Sequence, residues 1–187
     1  MKTRRGHIPP RKRFFVGCEG ESEQSYVQVL QRLCDDAGLH VHLHAELLGG
    51  GDALKRLETA ERKLPRLLQR SQFEAKFALL DTDQLSLSVE NASKAAALEQ
   101  KLGITVIWQK PCHEGLLAKH FVGANKQPLT ANDAMAHLHE FWPEYQKAMT
   151  AQKVASRIDL AAAHQAAAQI KELRNLLICI GLILPHA

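Results

Sequence analysis

The sequence predicts an α/β protein in which a parallel sheet of about four strands is flanked by helices and followed by a helical C-terminal extension. Short apolar segments alternate with helical patterns from residue 13 to Pro111, which is typical of a parallel sheet with right-handed crossovers. After Pro111 the apolar residues recur only at helical spacing. The expected strand order is 2-1-3-4, which is common in open parallel sheets.

Each strand is predicted from a short apolar run, and each helix from apolar residues three and four positions apart. The segment 13–18 is a buried strand that turns sharply at Glu19-Gly20, and Ser22 begins a helix that ends near Gly38. The segment 76–81 is apolar throughout, which suits a central strand covered on both faces. The other predicted strands are 39–47 and 104–108, and the other predicted helices are 54–67, 91–102, 113–121, 131–142 and 159–180.

Length and composition indicate one folded domain with appendages. The chain has 187 residues, of which 45% are hydrophobic and 24% charged, and these values are ordinary for a globular protein with a sizeable core. We therefore divide it into a basic arm (1–12), an α/β domain (13–122) and a helical extension that packs on the same core (123–187).

Cysteine spacing and hydropathy predict the compartment. The four cysteines are scattered without a CxxC pair or zinc-site spacing, which favours a reduced, cytoplasmic protein. The longest apolar run, 176–184, is about half of what a bilayer crossing needs. We therefore expect neither secretion nor a membrane span, and a homo-oligomer is compatible with the sequence.

Basic residues are concentrated at the N-terminus, where no acidic residue precedes Glu19. Because this segment carries more positive charge than the chain as a whole, the rest of the chain is slightly acidic. Such an arm can contact nucleic-acid phosphates, although a solvated tail would have the same composition. Both interpretations remain open. The residues predicted to contact nucleic acid are Arg4, Arg5, Arg11, Lys12 and Arg13.

Acidic residues follow two predicted strands. Glu19 and Glu23 come after the first strand, and Asp81 and Asp83 come after the third; these strands are neighbours in the order 2-1-3-4, and ligands bind at the carboxyl ends of parallel strands. Four carboxylates would repel one another, and Mg²⁺ (or Mn²⁺) would relieve the repulsion because it prefers oxygen ligands. Alternatively, the Asp-x-Asp arose by chance, Glu23 is a first-turn helix acid and Asp81 is a helix cap.

Several segments carry a resemblance to a known family. The segment 16–23, Val-Gly-Cys-Glu-Gly-Glu-Ser-Glu, resembles the opening motif of the Toprim domain, and 79–83, Leu-Leu-Asp-Thr-Asp, resembles its Asp-x-Asp motif. The segment 111–121 resembles the Asn-Pro-Cys-Phe-Glu-x-Trp-Leu-Leu-Leu-His-Phe segment of RloB-like proteins, and 49–56 suits the glycine-rich second loop of that branch. The resemblance covers about residues 11 to 122. The sequence departs from the pattern at Lys110, Leu116 and Lys119, where the branch more often has Asn, Trp and Leu.

The resemblance implies a Toprim-like Rossmannoid fold and a metal-dependent nuclease of bacterial defence against phages, including abortive infection, often encoded near an ATPase that would be a partner. It also implies roles for individual residues. Glu19 would be the acid for general acid/base work or metal binding, Asp81 and Asp83 the metal ligands, and Glu23 the second acid of the first motif.

Two residues after the fourth strand are further candidates for catalysis. Glu114 is expected to join the acidic cluster as a ligand to a second ion or as a neighbour of a ligand, although a first-turn glutamate is also favoured by the helix dipole. Lys119 and His120 follow within reach of the same cleft if the segment is helical. Lys119 would offset charge that develops on a phosphate in the transition state. Alternatively, Lys119 points to solvent and has no role in catalysis.

The sequence therefore predicts a nuclease that hydrolyses phosphodiester bonds in DNA or RNA. The alternative is a non-catalytic Toprim-fold module that binds nucleic acid or regulates a partner such as an ATPase. A primase or topoisomerase is disfavoured because the chain is too short for the additional domains of those enzymes. His40, His42 and His44 would share one strand face, which we interpret as solvent-facing rather than as a metal site.

Overall fold

The structure, a computed structural model, describes residues 10–69, 72–82 and 89–185. Four strands and eight helices follow one another in these ranges. They are β1 (Lys12–Cys18), α1 (Glu21–Asp36), β2 (Val41–Leu47), α2 (Ala53–Leu68), β3 (Ala75–Asp81), α3 (Val89–Leu102), β4 (Ile104–Gln109), α4 (His113–Ala118), α5 (Ala131–Phe141), α6 (Ala151–Ala155), α7 (Leu160–Ala167) and α8 (Lys171–Ile180).

The strands form a parallel sheet in the order β2-β1-β3-β4, which confirms the predicted fold class and strand order. β1 pairs in parallel with β2 and with β3, and β3 pairs in parallel with β4. Cys18, the last residue of β1, lies opposite Leu79 of β3. The carboxyl ends of the two central strands therefore lie side by side.

Side chains of the sheet alternate between two apolar layers because successive residues of a strand point to opposite faces. Phe14, Val16 and Leu79 face a core shared with α1 and the helices after β4. Phe15 and Leu80 face a second core that is closed by α2 and α3. The sheet is thus covered on both faces, as the apolar segment of β3 predicted.

The predicted long helix over 159–180 is interrupted. The structure has α7 and α8 separated by residues 168–170, and Ile170 is extended, with φ −126° and ψ 103°. The Gln169 side chain donates to the Lys119 carbonyl oxygen at 3.2 Å, which ties the break to the end of α4. An alanine-rich segment favours helix along its whole length. The interruption is therefore caused by tertiary packing and not by local preference. The short helix α6 was not predicted either.

Within the described residues, no helix combines the length and the apolar character that crossing a membrane requires.

Candidate metal-binding and catalytic site

The acidic residues of the central strands lie at one edge of the sheet. Glu19 directly follows β1, and Asp81 is the last residue of β3. The backbone N–H of Asp81 donates to Glu19 Oε2 at 3.3 Å, so the two residues are in direct contact. This is the placement expected from a sheet in which β1 and β3 are neighbours.

A cavity of about 170 Å³ opens at this edge. Four of the acids predicted for the site line it, and they come from three separate segments of the chain. The cavity is lined by Glu19, Gly20, Glu21, Ser22, Glu23, Asp81, His113, Glu114 and Lys147. Asp83, the remaining predicted ligand, lies outside the described residues.

Glu19 is held by a buried arginine of α2. The Nη2 of Arg56 forms an ion pair with Glu19 Oε1, and the Nε of Arg56 donates to the Gly49 carbonyl oxygen at 3.3 Å. Arg56 is 2% exposed. The guanidinium therefore connects the glycine-rich loop before α2 to the acid that follows β1.

Sequence reasoning missed Arg56, although a signal for it exists. α2 buries Ala53, Leu57 and Ala60 on one face, and Arg56 occupies the same apolar stripe at helical spacing. A charged residue in such a stripe is almost never buried without a partner, and the acids that follow β1 were candidates for that partner.

Glu23 lies in the first turn of α1 and is buried. Its Oε2 accepts the Gly20 N–H at 2.9 Å, as an acid in the first turn of a helix often does. Its Oε1 lies 3.6 Å from Nδ1 of His113. Burial lowers the pKa of His113 despite the nearby acids, so the imidazole is neutral near pH 7 and does not neutralise Glu23.

Glu114 is surrounded by donors. Cys112 Sγ donates to its Oε2 at 3.0 Å, Tyr145 Oη donates to its Oε1 at 3.3 Å, and Lys147 Nζ lies 3.9 Å from Oε1. Burial raises the pKa of Glu114, but the thiol of Cys112, a backbone N–H and Lys147 together outweigh burial and hold it below its ordinary value. Glu114 is therefore anionic near pH 7.

The lysine at the cavity differs from the one that the sequence indicated. Lys119 Nζ donates to the carbonyl oxygens of Ala124 (3.5 Å) and Lys126 (3.1 Å), and its side chain lines a second cavity. Lys147, from the loop between α5 and α6, lines the acidic cavity instead. The Ala148 N–H donates to Ser22 Oγ at 3.0 Å, which attaches this loop to the first turn of α1.

Other residues singled out from the sequence have structural contacts. His120 is buried just after α4, where its Nε2 is 3.1 Å from Tyr26 Oη and its Nδ1 is 3.2 Å from two carbonyl oxygens. His40 and His42 are exposed and His44 is partly exposed, as expected for a solvent-facing strand. Lys110 and Leu116, where the sequence departs from the family pattern, line the second cavity with Lys119.

The described part of the basic arm lies at the opposite edge of the sheet. Arg11 forms an ion pair with Asp35 at 3.1 Å, Lys12 is the first residue of β1, and the Arg13 guanidinium lies 4.6 Å from the centre of the Phe73 ring. β1 separates these residues from the acidic cavity by about 20 Å. Arg4 and Arg5 lie outside the described residues.

The acidic cavity fits a hard cation by its donor chemistry. Mg²⁺ usually takes one or two carboxylates and fills its other positions with water and substrate oxygens. Within the described ranges, no three Asp, Glu, His or Cys side chains are arranged to hold one ion together. Among the described residues, the site therefore suits a cation that Asp81 and one further carboxylate hold, with water and substrate oxygens at its other positions.

Comparison with known proteins places the chain in a family. A family model described as RloB-like protein matches residues 14–176, which is most of the chain. No curated protein and no solved structure matches the sequence significantly.

Proposed function

Because this chain belongs to the RloB-like protein family, we propose that it is a metal-dependent nuclease of the Toprim type, which hydrolyses phosphodiester bonds in DNA or RNA. The observation that supports this most strongly is the cavity at the ends of β1 and β3, where Glu19, Glu23, Asp81 and Glu114 lie together. Keeping several carboxylates close costs free energy unless a cation offsets their repulsion, and such clusters occur at functional sites.

Asp81 would hold Mg²⁺ or Mn²⁺ together with Asp83, and with Glu19 or Glu23 from the first motif. When bound, the cation polarises the phosphate and lowers the pKa of a water molecule. Arg56 holds one oxygen of Glu19 and the Asp81 N–H contacts the other, so the carboxylate has a defined orientation at the cavity.

Glu19 would accept a proton from the attacking water. The water oxygen bonds to phosphorus, the bond to one ester oxygen breaks, and the leaving oxygen takes a proton from solvent. Lys147 would donate a hydrogen bond to a phosphate oxygen, where it offsets the charge that develops in the transition state. Glu114 stays anionic and holds Lys147 over the cavity.

The test is incubation with labelled DNA and RNA, single-stranded and duplex, in the presence of Mg²⁺ or Mn²⁺. Asp81→Asn and Glu19→Gln should each lower the cleavage rate by about 100-fold or more, while Glu58→Gln, an exposed acid of α2, should leave it unchanged. Mg²⁺ should raise the melting temperature of the wild type and not of Asp81→Asn, because only a folded state that binds the ion is stabilised.

The same experiment distinguishes the alternative function. The wild type would be a non-catalytic module that acts through a partner if it binds nucleic acid but cleaves none of the substrates, and if Mg²⁺ does not change its melting temperature. A defence role, with an ATPase as partner, is the biological setting that we propose for the nuclease, and it is tested by phage challenge of cells that carry the wild type or Asp81→Asn.

A further inference from the structure

A second cavity, of about 330 Å³, lies beside the acidic one. Its walls come from the end of β4, from α4, from the loop before α5, and from the α7–α8 junction with the first turn of α8. The side chains that give it chemical character are Trp108, Lys110, Lys119, Gln169, Lys171 and Glu172. A cavity of this size is large enough for one small organic group.

Most of the charged residues in the walls are basic. Three lysines line the cavity against one glutamate. Lys110 and Lys171 are exposed, and among the residues that the structure describes neither has a carboxylate within ion-pair distance. The amines of Lys110 and Lys171 are therefore available to an anionic group, and Lys119 adds positive charge from the side.

An aromatic residue of β4 also lines the cavity. Trp108 is partly buried against the core that α2 and α3 close, and it also lines the cavity. Basic side chains beside an aromatic ring are the combination with which proteins bind single-stranded nucleic acid, because the ring stacks on a base while the charges contact the backbone. A base paired within a duplex would not be free to enter such a concave site.

α4 lies between the two cavities. His113 and Glu114 line the acidic cavity, whereas Gly115, Leu116 and Lys119 line the basic one. α4 has six residues and is therefore about 9 Å long. A strand that crosses this helix would place one phosphate among the acids and a neighbouring nucleotide among the lysines.

We propose that this basic cavity binds one unpaired nucleotide next to the scissile bond, with its base on Trp108 and its phosphate on Lys110 and Lys171. The proposal rests on the nuclease function proposed above, since it places the nucleotide relative to the bond that is cut. It assigns the substrate class as single-stranded nucleic acid, or a single-stranded segment of a longer molecule.

Affinity measured without divalent metal tests the cavity separately from catalysis. The probe is a fluorescein-labelled single-stranded oligonucleotide followed by anisotropy in EDTA at several salt concentrations. Trp108→Leu should raise Kd about ten-fold, which is the size of one base stack, and Trp108→Phe should recover most of the affinity. The double variant Lys110→Gln/Lys171→Gln should lower the slope of log Kobs against log salt by about 0.7 for each phosphate that the protein no longer neutralises.

Lys101→Gln is the matched control, because Lys101 is exposed, pairs with Glu61 at 2.7 Å and lies before the amino end of β4. It should change neither Kd nor the salt slope. Circular dichroism checks that the Trp108→Leu and double lysine variants are folded. If both folded variants keep the affinity and the salt slope of the wild type, the cavity is not a binding site.

Measurements of the cleavage rate distinguish a failure of this proposal from a failure of the proposed nuclease function. With an active wild type, the double lysine variant should lower kcat/KM for the oligonucleotide but not for bis(p-nitrophenyl) phosphate, which has no neighbouring nucleotide. An equal decrease on both substrates would overturn the positioning role. If the wild type cleaves neither substrate while the affinity differences hold, the nuclease function is wrong and the cavity remains a nucleotide-binding site.

Discussion

Arg56 occupies the apolar stripe of α2 and reaches the carboxylate of Glu19, a residue that follows β1. The Nη1 of this guanidinium is buried and has no hydrogen-bond partner within the described ranges. Arg56 therefore depends on Glu19 for compensation of its buried charge, and Glu19 depends on Arg56 for its orientation. Removing one member of such a pair leaves the other charge uncompensated.

We expect Arg56→Met to lower the free energy of unfolding by about 3 kcal/mol. The decrease should be smaller when the substitution is made in a Glu19→Gln background, because no carboxylate is then left without its partner. Urea denaturation of the four proteins of this double-mutant cycle measures the coupling. Arg66→Met, at an exposed position of the same helix, is the control, and an equal effect at both arginines would contradict the role of the pair.

His120 makes the stability depend on pH. Burial lowers the pKa of His120 to about 4, whereas the unfolded chain has a value near 6.5. Between these values the unfolded state binds a proton that the folded state does not, so the stabilisation from this residue is complete above pH 6.5 and is lost as the pH falls.

The wild type should therefore lose about 3 kcal/mol between pH 6.5 and pH 4 through this residue. In His120→Gln this part of the pH dependence should be absent, whatever the stability of the variant at pH 7. Urea denaturation at several pH values, with His40→Gln as an exposed control, measures the slopes. Parallel slopes for the wild type and His120→Gln would show that this histidine titrates normally.

At the scale of elements, the junction between β4 and α4 determines how the two cavities lie next to each other. A Cβ on Gly115 would lie 2.2 Å from the Lys110 carbonyl oxygen, which is far inside van der Waals contact. The first turn of α4 thus packs directly on the backbone at the end of β4. This close approach brings Glu114 to the acidic cavity and Lys110 to the basic one.

We expect Gly115→Ala to destabilise the fold by about 3 kcal/mol, because backbone atoms on both sides of the contact must move. Gly50→Ala is the control: nothing lies within 4 Å of its added Cβ, and its φ is not positive. It should be neutral or slightly stabilising. Thermal melting of both variants measures the difference, and a Gly115→Ala protein as stable as Gly50→Ala would mean that the junction adjusts easily.

At the scale of the whole molecule, the helices after β4 share a core with the sheet. Leu138 of α5 and Leu173 and Leu177 of α8 belong to the same buried cluster as Phe14 and Leu79 of the sheet. The loop after α5 also supplies partners to Glu114 at the acidic cavity. The C-terminal helices and the α/β part should consequently unfold together.

The two tryptophans report on the two parts, since Trp108 lies in β4 and Trp142 directly follows α5. In each single-tryptophan variant, Trp108→Phe and Trp142→Phe, the fluorescence transition in urea should coincide with the transition in far-UV circular dichroism. Separate transitions for Trp142 and the sheet would show that residues 123–187 form an independent unit.

Local patterns in the sequence were sufficient to predict the sheet and the position of its acids. Apolar runs and helical spacing depend on which face of an element is buried. Together with the strand order that is common in open parallel sheets, they bring Glu19 and Asp81 to one edge. The segment after the fourth strand likewise indicated Glu114. The metal and the chemistry assigned to these residues remain predictions.

The tertiary structure decided which residues contact those acids. Arg56, Tyr145 and Lys147 are separated from the acids they contact by 37, 31 and 33 residues along the chain, and no local pattern relates such distant positions. Lys119, which is close to Glu114 in sequence, points away because α4 turns it toward the loop at Ala124. The break between α7 and α8 has the same origin, since an alanine-rich segment is helical by preference and only packing against the rest of the molecule interrupts it.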